Sequence, residues 1–239
     1  MPGSRAGIGA LTLGAVWCGP GLAPHLPPLA RAMGVPLRVR RPGAVALTFD
    51  DGPHPEGTPA VLDALAARGA KATFFMVAEQ VERYRSLAAE IVAAGHEAAV
   101  HGYRHRNQMR LLPHEFADDL RRATDLIGEV SGGRPRLYRP PYGIFTPVGL
   151  SLVRRASLQP LLWSRWGRDW RAGTDPQEIV RLVSRGLGED DVVLLHDADW
   201  YSSPGSHRHT AAAVPGVLDV LEERGLRPVL AGDSVGDPG

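Results

Sequence analysis

Short apolar runs and longer amphipathic stretches alternate along most of this chain. The run Val45-Ala46-Leu47-Thr48-Phe49, and after it residues 72–77, 97–100, 158–163, 191–195 and 227–230, have the length and composition of buried strands. Leu137-Tyr138 adds a shorter piece, cut off by Pro140-Pro141, which exclude helix there. Between these runs apolar residues recur at helical spacing. Residues 58–66 carry a stripe of Val61, Leu62, Leu65 and Ala66, opened by Thr58-Pro59 and ended by Gly69. Further helices are predicted over 81–94, closed by Gly95, and over 113–130, 148–156, 176–187 and 210–224. Strand and helix thus alternate about seven times, which calls for a parallel α/β arrangement.

In such folds functional groups collect at the C-terminal ends of strands. Here those ends carry Asp50-Asp51, His101 with His105, Arg139, Asp169 and His196. One polar residue after a strand is ordinary, but five strand ends with chemically capable side chains are hard to explain by accident.

Composition changes this picture little. At 239 residues the chain fits one domain of α/β size. Its 27 basic and 26 acidic residues leave a net charge of +1, which offers no surface for nucleic acid. The lone Cys18 excludes a disulfide within the chain and leaves the compartment open. Arg5 and the apolar stretch 8–18, broken at Gly19-Pro20-Gly21, have the length of a signal-peptide core and are short for a membrane span. No small-x-small cleavage site follows. Residues 1–43 therefore read as a leader and linker, an export signal or membrane anchor standing beside a packed N-terminal segment as alternatives, with a short helix near 29–33. Residues 44–239 read as the catalytic domain.

Two adjacent carboxylates at a strand end repel each other and lose hydration, which a cation compensates most simply. Successive strand residues point opposite ways, so one acid can hold a metal while the other serves as a base. The plainer reading of Asp50-Asp51 is an acidic turn capping the next helix. His101 and His105, four apart, can meet one ion if the backbone turns helically, and Asp51 completes a two-His, one-Asp set with open positions. That spacing alone is weak evidence; beside an acidic pair from another strand it becomes the favoured reading. The same set suits a non-haem iron oxygenase, but a free base at Asp50 and an acid at His196 belong to hydrolysis. Arg139 can lock Asp50, and Asp169 can orient and charge His196; each is otherwise an ordinary structural ion pair.

These residues resemble the five motifs of the polysaccharide deacetylases, the NodB-homology family of carbohydrate esterases. TFDDGP at 48–53 matches the first motif and HGYRH at 101–105 the second. RPPYG at 139–143 resembles the third, RDW at 168–170 the end of the fourth, and LLH at 194–196 the fifth. The resemblance implies a deformed (β/α) barrel of about seven parallel strands with outer helices. It implies metal-dependent removal of N- or O-acetyl groups from an aminosugar glycan such as peptidoglycan or a chitin-like oligosaccharide. Asp50 then resembles the base, with Asp51, His101 and His105 as ligands of one divalent metal, zinc foremost, cobalt or nickel as alternatives. Arg139 resembles the residue fixing the base, His196 the acid and Asp169 its tuner. Tyr142, through its backbone N–H, Trp170 and Leu194 would meet the substrate. A monomer outside the cytoplasm or on the membrane, with an acetylated glycan as partner, is the matching expectation. A hydrolase of a small amide or imide, and a glycan-binding protein without catalysis, are the alternatives. Two positions depart from the family pattern. Trp166 stands where the fourth motif often has Asp, and Gly102 where the second usually has Ser or Thr.

Overall fold

A seven-residue run without an exposed position, β1 (Ala44–Asp50), lies at the centre of one parallel sheet in the computed structural model, which describes residues 27–233. The sheet runs β5 (Gln159–Pro160), β4 (Leu137–Tyr138), β3 (Glu97–Val100), β2 (Thr73–Met76), β1, β7 (Val192–His196), β6 (Arg165–Trp166), and β8 (Arg227–Val229) pairs the start of β1. All of these pairings are parallel. Strands buried on both faces explain why the apolar runs are continuous rather than alternating.

The connection between β5 and β6 requires the sheet to curl. Those strands occupy opposite ends of the sheet order, about 29 Å apart if six gaps of ~4.8 Å lay flat. Only residues 161–164 join them, and five Cα steps reach at most about 19 Å. The sheet therefore bends round on itself into the deformed barrel that the motifs imply. Leu161 N–H donates to Tyr138 O and Ser164 N–H to Val192 O, so this short crossing ties one edge to the other.

Helices pack outside: α1 (Pro27–Ala32), α2 (Gly57–Ala66), α3 (Ala78–Arg83), α4 (Arg85–Ala93), α5 (Pro113–Ser131), α6 (Pro147–Arg155), α7 (Pro176–Ser184) and α8 (Ser206–Glu223). Phe116, Leu120, Ala123 and Ile127, at the spacing of one helix face, carry α5 into the core. Val35 and Val39 belong to the same core, so the chain after α1 packs on the barrel. The apolar stretch 8–18 lies outside the described residues.

Five elements differ from the sequence expectation, the first being β6, a strand at Arg165–Trp166 that no apolar run announces. The helix expected over 81–94 is two, α3 and α4, interrupted at Tyr84 (φ −126°, ψ 48°), whose ring stacks on Trp200. The strand expected over 158–163 is reduced to β5, because the chain must leave that edge to reach β6. Thr58 does not cap α2: its hydroxyl accepts from His54 N–H and donates to Asp197, and α2 starts at Gly57. The last helix starts at Ser206, four residues earlier than expected, and contains Pro215.

Candidate active site

The register of β1 sets the site. Asp50 lies level with Phe75 of β2 and His196 of β7, so base and acid candidates arrive at the same height on adjacent strands. Asp51 follows in the left-handed region (φ 78°), which turns its carboxylate away from the strand repeat. Asp50 pairs with Arg139 and Asp51 lies between His101 and His105, with Asp50 Oδ2 also 3.8 Å from His101 Nε2; the left-handed turn at Asp51, rather than strand alternation, separates the two acids.

Arg139, fully buried at the end of β4, donates from Nη1 to Asp50 Oδ1 at 2.6 Å and to Thr48 Oγ1 at 2.9 Å. Its Nε and Nη2 donate to the carbonyls of Leu161 and Leu162, at 3.2 and 3.0 Å, and its guanidinium lies 3.9 Å over the Phe75 ring. A planar fork saturated this way holds Asp50 in one orientation. Losing one partner of such a buried pair costs about 3–5 kcal/mol.

Asp51 Oδ1 lies 3.4 Å from His101 Nε2 and 3.3 Å from His105 Nε2, is buried, and has no hydrogen-bond partner among the described residues. His101 Nδ1–H donates to Arg139 O at 2.8 Å, which leaves the Nε2 lone pair facing Asp51. The segment carrying both histidines is not helical. It bends at Gly102 (φ 85°), where a Cβ would crowd Arg104 O at 3.2 Å, and Asp119 holds it by accepting from Tyr103 N–H and Arg106. A residue with a left-handed backbone thus stands where the family has a hydroxyl, and a buried carboxylate supports the turn. Burial pushes the Asp51 carboxyl up, but His101, His105 and His196 outweigh it and hold it near about 2. Burial pushes His105 down to about 4, against the pull of Asp51. An anionic Asp51 and a neutral His105 are the protonation states a cation requires of them.

Across from Asp50, His196 Nδ1 lies 3.0 Å from Asp169 Oδ1, while Asp169 Oδ2 accepts from His196 N–H and the Thr210 hydroxyl at 2.7 and 2.8 Å. Burial disfavours the imidazolium, but Asp169 prevails and raises its pKa to about 10. The Trp170 ring meets His196 edge-on at 5.4 Å, and Leu194 shares its face of β7 two residues deeper. Trp166 lies between Trp163 and Trp170 with its ring tilted to both, centroids 6.0 and 5.5 Å away, and so continues a row of aromatic rings from Trp170. Tyr142 (φ 62°) is 58% exposed and borders, with His105, a cleft of about 630 Å³. All ten residues singled out in the sequence thus lie at or beside one end of the barrel.

Sequence reasoning missed three features. Thr48 and Thr210 complete the hydrogen bonding of Arg139 and Asp169; Thr48 stands inside the first motif, whereas nothing in the sequence marks Thr210. Tyr201 stacks on His105, ring centroids 4.2 Å apart and planes within 9°; the aromatic pair Trp200-Tyr201 shortly after His196 was its only sign. A second cluster of metal-ligating types, His54, Asp199 and His207, sits between the β1–α2 loop and the start of α8. There His54 Nδ1 accepts from the N–H groups of Glu56 and Gly57 at 3.2 and 3.0 Å. Its ring proton is therefore on Nε2, 3.2 Å from Asp199 Oδ1, so His54 offers the cluster no lone pair, while His207 Nδ1 lies 3.1 Å from Asp199 Oδ2. Asp199 Oδ2 also accepts from Gly205 N–H. This cluster is tied through His54 and Asp199 into hydrogen bonds with the backbone, whereas in the first Asp51 Oδ1 faces two imidazole nitrogens with no hydrogen bond among the described residues.

Known proteins share both the motifs and the frame. The family model for polysaccharide deacetylase matches residues 38–161. A chitooligosaccharide deacetylase of Bradyrhizobium sp. (strain ANU 289) is 36% identical over 194 residues, covering 77% of this chain and 86% of the relative. A peptidoglycan-N-acetylglucosamine deacetylase of Bacillus cereus is 30% identical over 77% of this chain, which spans 65% of that relative's length. The solved structure of the Bc1960 peptidoglycan N-acetylglucosamine deacetylase, in complex with 4-naphthalen-1-yl-N-oxidanyl-benzamide, superposes with a TM-score of 0.76. It shares 26% identity, over 84% of this chain and 93% of that one. With motifs, barrel and relatives in agreement, the chain belongs to the polysaccharide deacetylase family.

Proposed function

We propose that this protein hydrolyses N-acetyl groups on an aminosugar-containing glycan with the help of one divalent cation. The observation that carries this reading is the orphaned, buried Asp51 Oδ1 between two Nε2 atoms, beside a carboxylate pinned by Arg139 and opposite His196. Asp51, His101 and His105 would hold the cation, and their donor set suits zinc, cobalt or nickel. Once bound, such an ion polarises the substrate carbonyl and stabilises developing negative charge on its oxygen.

The chain's own groups do the rest. Asp50, fixed by Arg139, takes the proton of the attacking water. The backbone N–H of Tyr142 assists at the developing oxyanion. His196, held charged by Asp169, returns a proton to the leaving amine, which is a poor leaving group without it. Trp170 and Leu194 enclose the acetyl methyl group. The open cleft beside His105 and the exposed Tyr142 suit a glycan better than a small amide or imide.

Substrates named for the relatives include both peptidoglycan and chitooligosaccharides, which supports action on envelope or chitin-like glycan. An extracellular or envelope location follows from that substrate class; among the described residues no helix is long and apolar enough to cross a membrane. The test is acetate release from acetylated chitooligosaccharides and from peptidoglycan, before and after chelation and after metal is restored. Equal turnover in chelator-stripped protein verified as metal-free overturns the metal-dependent reading.

A further inference from the structure

The two imidazoles facing Asp51 are held by different physics. His101 donates its second ring N–H to Arg139 O, the ordinary way a ligating histidine is fixed in plane and tautomer. His105 Nδ1 is buried with no hydrogen-bond partner among the described residues, so nothing of that kind orients its ring. Instead the ring lies between two tyrosines. Tyr142 meets it edge-on at 4.6 Å but is itself 58% exposed. Tyr201 covers its face in parallel at 4.2 Å.

Tyr201 cannot slide freely along that face. Its hydroxyl donates to Glu79 Oε1 at 2.9 Å and accepts from Gln80 Nε2 at 3.0 Å, both on α3. The adjacent Trp200 donates from Nε1 to Pro53 O, and Asp199 faces His54, so the whole 199–201 turn is fastened to the loop that follows Asp51. A rigid aromatic plane, anchored at both ends, stands where a hydrogen bond would otherwise orient the ligand.

We propose that Tyr201 is a positioning residue of the metal centre, setting the His105 ring by stacking in place of the missing Nδ1–H bond. This rests on the reading that Asp51, His101 and His105 hold a divalent cation. The stack restricts rotation of a neutral ring and keeps Nε2 aimed at the point that Asp51 and His101 share. Removing it leaves the donors present but one of them free to turn, so affinity falls while the number of sites stays the same.

The test uses the full chain stripped by chelator and titrated with zinc in a competition assay, with the cobalt-loaded visible spectrum as a second readout. Tyr201→Ala is expected to weaken zinc binding about 10–100-fold, the usual cost of losing support behind a ligand, and to alter the cobalt spectrum. Tyr201→Phe keeps the stack, loses the hydroxyl anchors, and is expected to weaken binding about 2–10-fold. Should Tyr201→Ala not fold, Tyr201→Leu fills the space without an aromatic plane and is expected to behave like it in both readouts. Wild-type affinity and an unchanged cobalt spectrum in a folded Ala or Leu variant overturn the role of Tyr201. Asp51→Ala/His105→Ala separates the two claims: stoichiometric zinc retained there overturns the metal reading itself, whereas zinc lost there but unaffected by Tyr201 leaves that reading standing.

Discussion

Two clusters in this molecule have the same composition and opposite chemistry. Each pairs two histidines with one aspartate near the acidic turn after β1: Asp51, His101 and His105 in one, His54, Asp199 and His207 in the other. In the first, a carbonyl takes the Nδ1 proton of His101 and leaves Nε2 open toward an unpartnered carboxylate oxygen. In the second, two backbone N–H groups occupy Nδ1 of His54 and force the proton onto Nε2, toward a carboxylate already bonded to Gly205. Residue type thus does not make a metal site. For His101 and His54, the hydrogen bond on the far side of the ring decides whether a lone pair faces the cluster.

The most drastic way to break this comparison is to empty each cluster in turn. Asp51→Ala/His105→Ala should abolish stoichiometric zinc binding and turnover, while His54→Ala/His207→Ala should keep one zinc per folded chain. Metal analysis of the purified proteins decides it, and loss of zinc from the second variant alone would reverse the assignment.

Beside the first cluster, Asp50→Asn should retain zinc and fold but lose about 10²–10⁴-fold in turnover, because an amide cannot take the proton of water. Near-normal rates at saturating metal would remove Asp50 as the base.

Protonation sharpens the contrast further. His196 has a raised pKa, so its charged form persists through neutral pH and is lost only as pH climbs toward the value near about 10. A cation on Asp51 offsets part of the carboxylate field that supports it, so the alkaline limb of the rate profile should fall below that value. Asp169→Asn removes the main support and should shift the limb to lower pH, and His196→Ser should hurt amides more than activated esters. A limb unmoved in Asp169→Asn would separate Asp169 from the acid. In the second cluster, burial and His207 depress the His54 pKa. The sign is then opposite: its contribution to stability is present above the unfolded value near 6.5 and is lost as pH falls below it. Melting temperature should therefore drop between about pH 7 and pH 5, and less so in His54→Ala.

The smallest effect expected is on stability at neutral pH. His54→Ala strips an acceptor from two backbone N–H groups at the start of α2 and should cost about 1–3 kcal/mol in denaturant unfolding. No measurable loss would mean that solvent replaces these hydrogen bonds.

Legibility differed between elements for physical reasons. β1, β2, β3 and β7 were readable because strands buried on both faces must be continuously apolar. Tyr84 looked helical, yet the helix breaks there, where its ring stacks on Trp200, more than a hundred residues away. Residues 158–163 looked like one strand because nothing in their composition says that five Cα steps must join two sheet edges. Among site residues, Asp50, Asp51, His101, His105, Arg139 and His196 announced themselves as capable groups at strand ends. Tyr201 did not, since an aromatic residue in a loop carries no sign of the ring it will cover.

From the sequence alone came the alternation that requires a parallel α/β frame, the five strand ends bearing chemistry, and the motif order that marks the family. Each depends on local pattern: period, run length and breakers act over a few neighbouring residues. Only the tertiary structure decided how the two groups of two histidines and an aspartate are hydrogen-bonded, how the sheet closes, and which ring lies against His105. Those outcomes depend on where a carbonyl, a backbone N–H or a tyrosine ring from a distant segment comes to rest, and a lone pair is left free or filled by that encounter.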